Sequence, residues 1–103
     1  MKFIIGWVTI KPAKRDAFFA AVRVHTAATR QEEGCVFFEI NPGMERPNVA
    51  VVAECFKSEE VHQRHLTTPH MAAMRKAMNE TLIDGKFQYI YSDNVVAEDV
   101  TFG

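Results

Sequence analysis

A chain of 103 residues, 48% hydrophobic and 24% charged, has the composition of one soluble globular domain spanning residues 1–103. Twelve Lys and Arg against thirteen Asp and Glu leave a net charge of −1. Both signs are scattered, which excludes a basic stripe for nucleic acid and a polybasic segment for a membrane surface. The opening apolar run is too short to span a bilayer and carries no small-residue cleavage site, so a cytoplasmic protein is expected.

Residues 2–11, KFIIGWVTIK, are apolar and β-branched up to Pro12 and predict a strand. Residues 11–34 then take helical periodicity, with Phe18, Val22, His25 and Thr29 on one stripe and Gly34 as a left-handed closing residue. CVFFEI (35–40) and NVAVVAECFK (48–57) read as strands joined by the turn chemistry of NPGMERP. Ser58 caps a helix that stops near Leu66, with Glu59 and Glu60 in its first turn. Thr68 caps the next, with Pro69 at its first position and Met71, Met74 and Met78 on one side. The tail, GKFQYIYSDNVVAEDVTF, supplies at least one more strand.

The order β-α-β-β-α-β is that of a ferredoxin-like α+β domain with an antiparallel sheet. Such a sheet packs helices on one face, so its strands should alternate. Here residues 3–10 and 49–53 are apolar on both parities. A second apolar face needs cover, and a second subunit supplies it most simply.

Several polar residues could carry chemistry. His25, on the apolar stripe, is either a core histidine bonded to a carbonyl or an imidazole facing a cavity. His62, beside Gln63 and Arg64, reads as solvated, and a metal set of His62, His65 and His70 matches no recognised spacing. His65 falls in the last turn of its helix, where the dipole favours the imidazolium. His70 falls in the first turn of the next, where it is disfavoured, a way of separating acid from base at one site. Otherwise His65 packs on the strand beneath and His70 supplements the Thr68 cap. Glu54 interrupts the most apolar strand between Val52 and Phe56, so it is either paired with a base such as Arg23 or Arg30, or has a raised pKa. Trp7, Phe38 and Phe56 are candidate substrate contacts. Cys35 and Cys55 would sit opposite one another in a hairpin centred near residue 45, but a reducing compartment predicts free thiols.

IKPAKRDAFFAAV, TRQEEGCVFFEI and VVAECFKSEEVHQRHLTTPHMAAM, taken in order, resemble the antibiotic-biosynthesis monooxygenase family over roughly residues 3–80. The shared features are Glu-Gly-Cys before the second strand, Glu-x-aromatic closing the third, and a His followed after a short gap by a small-residue-x-His pair. The resemblance implies a homodimeric α+β barrel with a pocket between helices and sheet in each subunit. It further implies oxidation of a small aromatic or enolisable substrate by dioxygen without a metal or flavin. His65 and Glu54 would then be bases, and His25 and His70 would orient substrate or oxyanion. A haem-degrading branch is disfavoured, because Trp7, His65 and Arg75 stand nearest its key positions. An isomerase branch shares HLTTPH, a His near position 25 and the Glu, yet only Lys86 is an obvious phosphate ligand. A non-catalytic small-molecule-binding dimer is the remaining alternative.

Overall fold

The computed structural model describes residues 1–103. In chain order they form β1 (Lys2–Ile10), a short 3-10 turn (Pro12–Lys14), α1 (Arg15–Thr29), β2 (Cys35–Gly43), β3 (Arg46–Phe56), α2 (Glu59–Leu66), α3 (Pro69–Thr81) and β4 (Leu82–Tyr91). The four strands pair antiparallel in the order β2-β3-β1-β4, the ferredoxin-like arrangement. No helix is long and apolar enough to cross a membrane.

Local chemistry sets most boundaries. Ser58 Oγ accepts the Val61 N–H at 3.2 Å and starts α2. Gly34 is left-handed, with φ +89°, but α1 ends earlier, at Thr29. Its role is to turn the chain into β2 beneath Val61, whose Cγ1 would lie 2.7 Å from an added Cβ. The 41–47 stretch is less of a loop than its composition predicts: Gly43 pairs with Arg46 across a register shift, leaving only Met44 and Glu45 outside the strands. Pro42 is tolerated because β2 is an edge strand, where a missing N–H donor costs little.

Along β1 the even positions Lys2, Ile4, Val8 and Ile10 are buried, while Ile5 and Trp7 on the other parity are exposed. The helices therefore cover one face only. One core group joins Phe18, Phe19 and Val22 of α1 and Met74 of α3 to Val8, Ile10 and Ala50 of the sheet; the other joins Val61 of α2 to Ile4, Phe38 and Phe56. Burying a large apolar side chain is worth about 1.5–3 kcal/mol, so these two groups carry much of the fold.

The opposite face carries an apolar row made by the strand register. Trp7 pairs with Val51, Ile5 with Ala53, Phe37 with Cys55 and Phe3 with Ile90. Cys35 and Cys55 are not opposite one another. Val36 is skipped in the β2–β3 ladder, so Cys35 faces Phe56 and Cys55 faces Phe37. Cys35 packs with the Phe56 and Val61 group under α2, whereas Cys55 points to the other side of the sheet, and both are free thiols.

Candidate functional site

The junction of α2 and α3 is built on one hydroxyl. Thr68 Oγ1 accepts the Met71 N–H at 3.1 Å and donates to the His65 carbonyl at 2.8 Å, tying the end of one helix to the start of the next. Pro69 at the first position of α3 has no N–H to satisfy, so the break between helices leaves no orphan donor there. The break aims two imidazoles at one carboxylate. His65 Nδ1 lies 2.7 Å and His70 Nε2 2.6 Å from the same oxygen of Glu32, in the segment between α1 and β2.

A carboxylate accepts, so both nitrogens donate, and His65 is left with Nε2 as its free edge. His65 is only 2% exposed and lines a cavity of about 150 Å³ between sheet and helices. The space lies between the two apolar groups and takes walls from both, among them Ile4, Phe18, Phe38 and Met74. Thr26 Oγ1 is the sole buried side-chain N or O without a partner, so His65 Nε2, which makes no hydrogen bond, opens onto free space.

His25 occupies another part of the wall. Its Nδ1 lies 3.3 Å from the His70 carbonyl, which can only accept, so Nδ1 donates and Nε2 accepts from Thr29 Oγ1 at 3.4 Å. Both readings of this residue hold together: it is carbonyl-bonded and it faces the cavity. Burial, reinforced by the neighbouring His65, pushes its pKa down to about 4 and keeps the ring neutral.

Glu54 enters the cavity from β3, between Ile4 on β1 and Phe38 on β2. Neither Arg23 nor Arg30 pairs with it; Arg30 instead binds Glu39 at 2.8 Å. Desolvation dominates and pushes its carboxyl up to about 7, against a smaller opposing pull from Lys2. A carboxyl so placed exchanges its proton near neutrality.

His62 is buried rather than solvated, at 6% exposure. Helical spacing puts it on the face of Val61 and His65, and Lys2 at the start of β1 gives it a buried partner. Lys2 Nζ, itself 4% exposed, lies 2.8 Å from His62 Nδ1 and 2.7 Å from the Glu59 carboxylate, above the rings of Tyr89 and Tyr91. Burial and the adjacent ammonium push the His62 pKa down to about 4.

The sequence-derived set therefore divides. His25, Phe38, Glu54 and His65 share the cavity wall; His70, bonded to Glu32, and Phe56, packed with Ile4, Phe38 and Val61, do not line it. Trp7 stands on the opposite face of the sheet, 39% exposed, with Lys86 5.8 Å from its ring centroid. Lys86, the obvious phosphate ligand, is thus turned away from the cavity. Sequence reasoning missed Glu32, a residue signalled only by its place in QEEG before β2, and misjudged His62. Glu32, His65 and His70 could also close on a cation, their donor atoms lying within 4.8 Å of one another. The 2.6 and 2.7 Å separations are those of charge-assisted hydrogen bonds, which is how we read the trio.

A split-βαβ sheet with a histidine-lined apolar cavity under its helices defines a class, and the sequence supplies the family. The family model described as antibiotic biosynthesis monooxygenase matches residues 1–77, and the chain belongs to that family. No curated protein matches it. Among solved structures, a proposed antibiotic biosynthesis monooxygenase from Nitrosomonas europaea is 22% identical, with a TM-score of 0.84 over 90% of this chain and 99% of that one. Another from Deinococcus radiodurans is 17% identical, at TM-score 0.85 over 97% and 100%. Rv0793 from Mycobacterium tuberculosis is 20% identical, at 0.84 over 93% and 98%. At these identities the likeness is one of fold.

Proposed function

We propose that this protein is a monooxygenase that oxidises a small phenolic or enolisable metabolite with dioxygen, needing no metal or organic cofactor. One observation carries the reading: His65, held by Glu32 with Nε2 free, faces an apolar cavity that also contains Glu54. Triplet dioxygen reacts slowly with closed-shell organic molecules, so the protein must generate an electron-rich anion where the gas can reach it. His65 Nε2 takes the hydroxyl proton, and Glu32 stabilises the imidazolium that results. The anion gives one electron to dioxygen, and the resulting radical pair joins as a C–O bond. Glu54, half-protonated near neutrality, protonates the peroxide; as the O–O bond breaks, the departing hydroxide takes the His65 proton and leaves as water, and the ring C–H proton returns Glu54 to its acid form.

The balance closes without an external reductant: a phenol plus O₂ gives a quinone plus H₂O, one oxygen atom going to each product. The apolar walls serve the reaction too, since dioxygen partitions into them and water that would quench the anion is kept out. Cavity size narrows the substrate. A space of about 150 Å³ matches one benzene ring in size, which favours a single-ring phenol or hydroquinone.

Oxygen uptake with a panel of single-ring phenols and hydroquinones, with and without chelator, tests this reading. The expected result is stoichiometric uptake, unaffected by chelator and lost in His65→Gln. Uptake abolished by chelator, or proton exchange next to a carbonyl without uptake, would overturn it.

A further inference from the structure

His62 has a role that follows from the chemistry of its partner. An ammonium group has three donors and no acceptor, so a Lys2 Nζ 2.8 Å from His62 Nδ1 must donate to it. The ring is then neutral and carries its proton on Nε2. That N–H makes no hydrogen bond within the protein and is not sealed off, while the residue lines the cavity. His25 has both ring nitrogens engaged, and the free edge of His65 is an acceptor. Among the imidazoles that line the cavity, His62 alone has a donor left over.

We propose that His62 is the oxyanion-binding residue of the cavity, its Nε2–H receiving the substrate oxygen as that oxygen loses its proton, and that Lys2 is the positioning residue which fixes the donating tautomer. The assignment rests on the reading of the cavity as the reaction site and deepens it. A base on one wall and a donor on another bind a hydroxyl at its proton and at its lone pair. The developing phenolate is held by a neutral donor with a buried ammonium behind it, the pairing that works best where water is excluded. Lys2 is itself compensated by Glu59, so the cavity gains a directed dipole without a free cation. Such a site selects a neutral hydroxyl group and disfavours a phosphate dianion, for which it has no open positive charge.

The groups around His62 are consistent with the fixed tautomer. From β1 it meets Lys2; from its own helix, His65 and Glu59; from β4, the Tyr89 ring 6.4 Å away, with Tyr91 beyond Lys2; from β3, Glu54 shares the cavity. The ammonium opposes protonation of His62, in line with its lowered pKa, while the more distant Glu59 and Glu32 carboxylates favour it only weakly.

Two measurements on the intact protein test the proposal. Long-range ¹H–¹⁵N NMR of histidine-labelled wild type should show His62 protonated on Nε2 alone from pH 5 to 8. Lys2→Arg, which also only donates, should keep that pattern, and Lys2→Met should let Nδ1 become protonated. Second, a coloured phenol, 4-nitrophenol, reports its own ionisation when bound. Wild type should favour the bound phenolate about tenfold more than His62→Leu, with His62→Gln intermediate because its amide still donates. Nδ1 protonated in wild type, or equal phenolate fractions in wild type and His62→Leu, would overturn the oxyanion role and leave the cavity reading standing. Failure of 4-nitrophenol and its unsubstituted parent to bind at any pH would remove the cavity reading and this assignment together.

Discussion

Glu32 and His65, thirty-three residues apart in sequence, meet at 2.7 Å, and the same carboxylate oxygen receives His70 at 2.6 Å. The pair orients the free edge of His65 toward the cavity. Replacing the carboxylate by its amide keeps the shape and removes the charge that favours the imidazolium. We expect Glu32→Gln to lower kcat about 10–100-fold with little change in KM, as suits a group acting on proton transfer rather than on binding. Steady-state oxygen uptake with a responsive phenol would measure both. Equal losses in a thermal melt, with kcat intact, would assign Glu32 a structural role only.

Stability should depend on pH in a direction set by three buried groups. Glu54 is pushed up to about 7 from 4.5, so its contribution is full below 4.5 and is lost as pH rises through about 7. Glu54→Gln should therefore change little at pH 4 and stabilise at pH 8, by up to about 3 kcal/mol less whatever relief cavity water gives. His25 and His62, pushed down to about 4 from 6.5, have the opposite sign: their contribution is full above 6.5 and is lost as acid approaches 4. Between pH 4.5 and 6.5 two histidines oppose one carboxylate. The unfolded chain then binds about one proton more, and stability should climb by about 1.4 kcal/mol per pH unit. Urea melts across that window would show it; a flat profile would contradict the burial of the two imidazoles.

Met74 and His65 should separate stability from turnover. Met74, on the inner face of α3, is 3% exposed, and Met74→Ala should cost about 2–5 kcal/mol while enlarging the cavity. His65→Gln should cost about 1–2 kcal/mol, more than a surface change, because it disturbs a buried charge-assisted bond. Turnover should fall at least 100-fold in His65→Gln and survive in Met74→Ala for single-ring substrates. Calorimetry beside oxygen uptake decides between them, and a reversed order would make His65 a packing residue.

Gly6 should tolerate nothing larger. A Cβ there would sit 1.9 Å from the Lys86 carbonyl oxygen, inside the β1–β4 ladder. Either the strands separate or the hydrogen bonds around Gly6 and Phe87 break. Gly6→Ala should lose several kcal/mol and expose β4 amides to hydrogen exchange first, as read by mass spectrometry. Full protection of β4 in that variant would contradict the register.

The row of Phe3, Ile5, Trp7, Phe37 and Val51 argues for a second copy on the open face of the sheet. Sedimentation at micromolar concentration should show a dimer that dissociates only on unfolding. Trp7→Glu, which places a charge in that row, should give monomer or aggregate without reaching the cavity on the other side. A stable wild-type monomer would require another explanation for the exposed row.

Elements of this protein were legible in its sequence where the cause is local. Apolar runs read as strands, Ser58 and Thr68 capped the helices they were expected to cap, and Pro69 began α3. Caps and helix faces depend on residues three or four apart, so a linear reading reaches them. The register of β2 against β3 turned on one skipped residue, Val36, which sent the two cysteines to opposite faces. Strand parity likewise put Trp7 outside the cavity, and a shift of one residue would have reversed it. The longest reaches were decided by packing alone: Glu32 to His65 and His70, and Lys2 across sixty residues to His62. Helix spacing already placed His62 beside His65, but only an ammonium delivered by β1 made that buried position tenable, because a polar ring leaves water only where a partner satisfies it.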